Sequence, residues 1–324
     1  MKNINLQRLN KLKNIPTFAA AENLETLSLM ILPALDRMEI DFSQMQALQN
    51  LKIQNVGTEH GTFELSDSLS QCKKLKKLTL TSSPITDLPS GLENLSILEN
   101  LSLGILPLKE IPDIFMDMTA LNYLQIARCD EVEKLPSSIR YLKSLKHFQL
   151  HGLPKLENLE LDFYPLENLE SITIADCVGL KKIDPSLAQN TSIKKISLTR
   201  LPELSELPPF RRRNLRLELL GMRDLPQLTN LPESITTLPA LQQLTAYNIG
   251  IEKLPANIDE LKSLIRLELF AENLSHLPLK IAHLNSLNRF TLKTAFTKKD
   301  EKIIMVHDLY PALNKQTDLS LIHI

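Results

Sequence analysis

The chain has 324 residues, 43% of them hydrophobic but only 5% aromatic, with eight glycines, nineteen prolines and no tryptophan. Its formal net charge of −1 argues against a general nucleic-acid binder, which needs an excess of Lys and Arg to neutralise phosphates. The scarcity of glycine argues against phosphate-cradling loops, and three scattered cysteines are too few for a disulfide framework or a zinc site.

The opening residues lack the apolar run of a signal peptide, and no stretch reaches membrane-spanning length, so a soluble chain is expected. Ile4, Leu6, Leu9, Leu12 and Ile15 match Leu27, Leu29, Leu32, Leu35 and Met38 at an offset of 23. The chain thus opens in mid-strand, with a partial repeat over 1–23. No polar cover precedes it, so it reads as a segment of a longer protein.

An apolar mark then recurs at Leu24, Leu48, Leu75, Leu98, Leu121, Leu145, Leu169, Ile193, Leu217, Leu241, Leu264 and Leu287. The spacing is 23 or 24 residues throughout, apart from one interval of 27. After each mark two apolar residues stand two apart, from Leu27 and Leu29 to Phe290 and Leu292, as on one face of a strand. The unit Leu121 to Leu145 shows the rest. Leu135-Pro136 leads into Ile139, Leu142 and Leu145 at spacings of three, which predicts a helical or 3-10 turn entered through proline. Neither half can bury its apolar side alone, so the units must stack on one another.

The long interval holds extra residues around Gly57 to Gly61, read as a bulged loop whose His60 is solvated rather than catalytic. Arg211, Arg212 and Arg213 form the only run of three consecutive basic residues and read as a solvated turn. Beyond Leu292 the period lapses. Lys298 to Tyr310 reads as a helix and Leu319 to Ile324 as a last strand, so 293–324 is expected to be a C-terminal capping segment.

The pattern L-x-x-L-x-L, then L-x-x-L-P-x-x-I-x-x-L, resembles the leucine-rich-repeat family over nearly the whole chain. Units such as Leu75 to Leu98 match the 23-residue form. The longer units, such as Leu121 to Leu145 and Leu217 to Leu241, resemble repeats of plant immune receptors and of bacterial effectors that ubiquitinate host proteins. The resemblance implies an α/β leucine-rich-repeat solenoid (horseshoe) with about twelve repeats over 24–292. It also implies a parallel concave sheet and short helical or 3-10 segments on the convex side. One departure is plain: the slot that often holds Asn in the family holds Ser83, Cys129, Leu153, Cys177 and other residues here. The turn carbonyls then need other partners. Cys129 and Cys177, two repeats apart, stand about 10 Å from each other at ordinary strand spacing, too far for a disulfide, and are expected to be buried free thiols.

No metal-ligand spacing, nucleotide-binding glycine loop or serine-nucleophile motif occurs. The C-x-D nucleophile of the ligase effectors is missing at both Cys129-Asp130-Glu131 and Cys177-Val178-Gly179. No catalytic residue, cofactor or metal is therefore expected, and function should lie on the residues that alternate with the strand leucines. The middle slot of each strand is mostly small and neutral. The flanking slots gather Tyr123, His147 and His151 beside Gln125 in mid-chain, and Arg223, Tyr247, Arg266, Phe270, Arg289 and Lys293 further on. Exposed Tyr, Phe and Arg dominate binding energy at interfaces; the histidines read first as plain polar surface.

The expectation is a monomeric, non-enzymatic module that recognises a protein partner on the concave face, with no nucleic acid and no membrane span. The resemblance implies a bacterial effector acting on host proteins, delivered without a conventional signal. The alternative is the substrate-recognition domain of a larger enzyme, such as an effector E3 ubiquitin ligase, with its catalytic domain outside this chain.

Overall fold

The structure is a computed structural model that describes residues 1–293 apart from 16, 17, 19, 20, 36, 39, 59–61 and 212–214. The expectations for His60, Arg212, Arg213 and the capping segment after Lys293 lie outside the described residues. The chain forms two compact units, 1–169 and 170–324.

Unit one contains β1 (Asn3–Gln7), β2 (Thr26–Leu32), β3 (Arg37–Met38), β4 (Asn50–Val56), β5 (Thr62–Phe63), β6 (Lys77–Thr81), β7 (Asn100–Gly104), β8 (Tyr123–Ala127), β9 (His147–His151) and β10 (Asn158–Leu159). Its sheet runs in chain order, β1-β2-β4-β6-β7-β8-β9. Its strand pairs are parallel and in register, so Leu101 faces Leu124 and Ser102 faces Gln125. Unit two contains β11 (Ser171–Ala175), β12 (Lys182–Ile183), β13 (Lys195–Thr199), β14 (Leu219–Leu225), β15 (Gln243–Ile249), β16 (Arg266–Phe270) and β17 (Arg289–Lys293). Its sheet has the same plan, β11-β13-β14-β15-β16-β17.

Alternation in the sequence becomes alternation in burial. In β8, Leu124 and Ile126 are buried while Tyr123, Gln125 and Ala127 are half-buried. The apolar marks from Leu24 to Leu287 are all buried, so the spacing of 23 or 24 residues measures one complete turn around the core. The 27-residue unit keeps the register, with Asn50 opposite Lys77. The returns are 3-10 segments such as Ser137–Tyr141 and Glu233–Thr237, each entered through an extended proline, Pro136 and Pro232. Neighbouring returns are pinned by side chains: Phe115 N–H donates to Ser138 Oγ at 3.0 Å, and Ser138 N–H donates to Asp113 Oδ1 at 2.9 Å.

The missing Asn slot is compensated locally. Cys129 Sγ–H donates to Ala127 O at 3.6 Å and Cys177 Sγ–H to Ala175 O at 3.5 Å. Ser83 Oγ donates to Thr81 O at 3.1 Å and accepts from Val56 N–H at 3.3 Å. The three cysteines are free and buried, and burial pushes the Cys72 thiol up to about 11.

Just before this slot the backbone turns left-handed in nearly every repeat. Ile31, Asn55, Ser82, Ile105, Arg128, Asp176, Arg200, Asp224 and Asn248 have φ between 50° and 57°, and Gly152 takes the same place at 62°. The turn aims each N–H at the next strand: Ile105 N–H donates to Ala127 O at 2.8 Å and Arg128 N–H to His151 O at 2.7 Å. A β-branched residue is strained in this region, whereas Asn tolerates it. Ile105 is 49% exposed and contributes little to the core. Ile105→Asn is therefore expected to raise stability by about 0.5–1 kcal/mol in urea unfolding. A lowered midpoint would contradict the strain assigned to this turn.

Candidate functional site

The open face of each sheet carries the first, third and fifth residues of its strands, because strand side chains alternate sides. In unit two the register aligns these residues into three rows. Thr199, Arg223, Tyr247, Phe270 and Lys293 form one row; Ser197, Gly221, Thr245, Glu268 and Thr291 form the middle row. Lys195, Leu219, Gln243, Arg266 and Arg289 form the third.

Parallel strands lie about 4.8 Å apart, which is stacking distance for flat side chains on neighbouring rungs. The Tyr247 and Phe270 ring centroids are 4.6 Å apart at an interplanar angle of 27°. The Arg223 guanidinium carbon lies 5.1 Å from the Tyr247 centroid, on the strand opposite Phe270. Tyr247 is thus held between a cation on one side and a second ring on the other.

Beneath this stack lies a carboxylate that the sequence pattern hides. Glu268 sits in the middle row, where small residues are the rule, yet it is 6% exposed on an otherwise open face. The Tyr247 hydroxyl donates to Glu268 Oε2. Arg289 Nε lies 2.8 Å and Arg266 Nε 3.9 Å from Oε1. These are ion pairs without alignment: Oε1 is buried and receives no well-aimed hydrogen bond. Burial first, then the hydrogen bond to Glu268 and its negative charge, raise the Tyr247 phenol above its usual range, against opposing effects of Arg223 and Arg289.

Of the ten candidate residues, Arg223, Tyr247, Arg266, Phe270, Arg289 and Lys293 fall on this face of unit two, and the first five join one network through rings and Glu268. Lys293 pairs in register with Phe270. The other four lie on unit one. Tyr123 faces His147, Gln125 faces Gln149 and Ala127 faces His151. The Tyr123 hydroxyl donates to Gln149 Oε1 at 3.1 Å, and burial raises its phenol as well. Glu268 is the residue the sequence reading passes over. Its only signal is an acidic side chain in a row that otherwise runs Ser, Gly, Thr and Thr.

Among the described residues no three His, Cys, Asp or Glu side chains stand together as metal ligands, and no helix is long and apolar enough to cross a membrane.

The fold is a parallel-sheet leucine-rich-repeat solenoid, and the chain is a leucine-rich-repeat protein by that fold. Known proteins share this fold. The leucine-rich repeat domain of the type III effector XopL aligns with a TM-score of 0.59 at 25% identity, over 67% of this chain and 75% of that one. Toll from Drosophila, solved in complex with Spätzle, aligns with a TM-score of 0.56 at 16% identity over 87% of this chain and 44% of that one, a likeness of fold alone. Disease resistance protein RPS6 of Arabidopsis thaliana is 40% identical over 74 residues, 22% of this chain and only 6% of that protein's length. No protein-family model matches the chain.

A phenol raised in the folded state favours the neutral form, so its contribution to stability is full below pH 10 and is lost as pH climbs through the folded value. Tyr247→Phe is expected to destabilise the protein by about 1–2 kcal/mol at neutral pH, with the gap to wild type closing above pH 10. Denaturant unfolding of both proteins across that range checks it. A gap independent of pH would break the Tyr247–Glu268 link.

Proposed function

We propose that the chain is a protein-recognition module that uses the open face of its parallel sheet, with Arg223, Tyr247, Phe270 and Arg289 as its anchors. The observation that carries this reading is the stack of Arg223, Tyr247 and Phe270 over a buried Glu268. A repeat strand needs only its inward residues for the hydrophobic core, so the repeat itself does not call for large outward rings and guanidinium groups. They are the residue types that carry most interface energy, and here they are already stacked, which lowers the entropy lost on binding. The face alone supports recognition without catalysis.

The likeness to the repeat domain of a type III effector supports a bacterial effector that meets its partner inside a host cell. It equally suits the substrate-recognition part of a larger enzyme, such as an effector ubiquitin ligase, with the catalytic domain elsewhere. The likeness to RPS6 favours instead the repeats of an immune receptor, and all three readings share the same face.

The test is comparative capture from bacterial, plant and animal lysates. Proteins retained by the wild-type chain should be lost by the Arg223→Glu/Phe270→Ala double variant. They should be kept by Leu279→Ser, which alters an 80% exposed residue on a 3-10 return of the same unit. Retention by both variants would contradict recognition on the sheet face.

A further inference from the structure

We infer that the partner presents an acidic segment to this face, its carboxylates meeting the two cationic rows of unit two. This rests on the sheet-face reading above and assigns it a chemistry.

The whole chain is close to neutral, with 37 Lys and Arg against 38 Asp and Glu. The open face is not. Among the first, third and fifth residues of the six sheet strands in unit two, the cations are Lys195, Arg223, Arg266, Arg289 and Lys293. The only carboxylate is Glu268, which is buried and already ion-paired. Unit one follows the same rule, with Lys52 and Lys77 on its face and no carboxylate at the equivalent positions.

Acidic residues return at the borders of the face, and several of them are engaged. Glu170, just before β11, pairs with Lys194 at 3.2 Å. In the left-handed turns, Arg200 Nη2 donates to Asp176 Oδ2 at 2.6 Å and Asn248 Nδ2 donates to Asp224 Oδ1 at 2.8 Å. A near-neutral protein has therefore sorted its charge, leaving one surface with a positive excess. Complementary potential is what guides partner choice and encounter.

The geometry favours a peptide over the other anions. Both faces of the Tyr247 ring are taken, by Arg223 and by Phe270, so it offers no platform for a nucleic-acid base. Arg266 and Arg289 both turn a guanidinium nitrogen towards Glu268, which opposes a concentrated phosphate dianion at the centre. What remains is cations spread along two rows with a narrow floor of Thr245 and Thr291 between them. Spread single charges suit the spaced carboxylates of an acidic segment, with an apolar residue against the outer side of Phe270.

The test uses the full chain and short fluorescein-labelled peptides read by anisotropy. One peptide carries Asp and Glu around a central Leu, one is its Asn and Gln isostere, and one carries Lys and Arg. A phosphoserine peptide and a single-stranded oligothymidylate of equal charge complete the set. The acidic peptide should bind about ten-fold or more tightly than its neutral isostere at low salt, weaken as salt rises, and weaken again with Arg223→Glu or Lys293→Glu. Both residues are exposed and stand outside the Glu268 ion pairs, so the scaffold is spared. Tighter binding of the neutral, basic, phosphorylated or nucleic-acid probe would overturn the inference, as would indifference to both variants. If Arg223→Glu/Phe270→Ala still abolishes capture while no acidic preference appears, this inference falls and sheet-face recognition stands.

Discussion

The in-register parallel ladder governs everything else in this molecule. At the strand entries within each unit, one carbonyl accepts two N–H groups from the next repeat: Lys76 O takes Glu99 N–H at 2.8 Å and Asn100 N–H at 3.0 Å. A shift of one residue would turn the strand leucines outwards and their polar neighbours inwards, so the ladder and the core require the same register. Register in turn brings equivalent slots into rows. Ion pairs form along the entry row, such as Lys2 with Glu25 at 2.7 Å and Lys76 with Glu99 at 3.3 Å. Rings and a guanidinium stack along the row through Tyr247. A repeat protein makes a site out of residues far apart in sequence by this means alone.

The same ladder explains a cost that the repeats share. To extend the hydrogen bonding past the strand, the chain turns left-handed at residues as ill-suited to it as Ile31 and Ile105. The N–H groups delivered by that turn offset the strain, and the Ser or Cys that follows in some repeats ties up the carbonyl two residues back. Burial excludes these thiols from solvent, and a small hydrogen-bonding side chain is what the slot uses them for. Glu268 is the opposite case, a polar group enclosed by its neighbours. Tyr247, Arg266 and Arg289 cover it, and it ties their positions together.

The scaffold was legible in the sequence because a fully buried slot admits few residue types, and Leu or Ile at a fixed period leaves no other reading. Leu124 and Ile126 could be assigned inward, and Tyr123 and Gln125 outward, from spacing alone. The left-handed turns were not legible, since Ile, Arg, Asp, Asn and Ser share no signature there and glycine appears only at Gly152. The aromatic and basic residues of unit two were visible as outliers from the repeat. Their assembly around Glu268 was not, because it depends on side-chain conformations across four strands. The charge sorting of the open face became visible only once the strand limits were known, as it is cancelled in the net charge of −1.

The proposed recognition surface is the pair of rows flanking Thr245. A photo-reactive amino acid placed at Thr245 and, separately, at Leu279 tests this most directly against any captured partner. The account predicts cross-links from position 245 alone, landing in an acidic stretch of the partner. Cross-links from position 279 with none from 245 would contradict it.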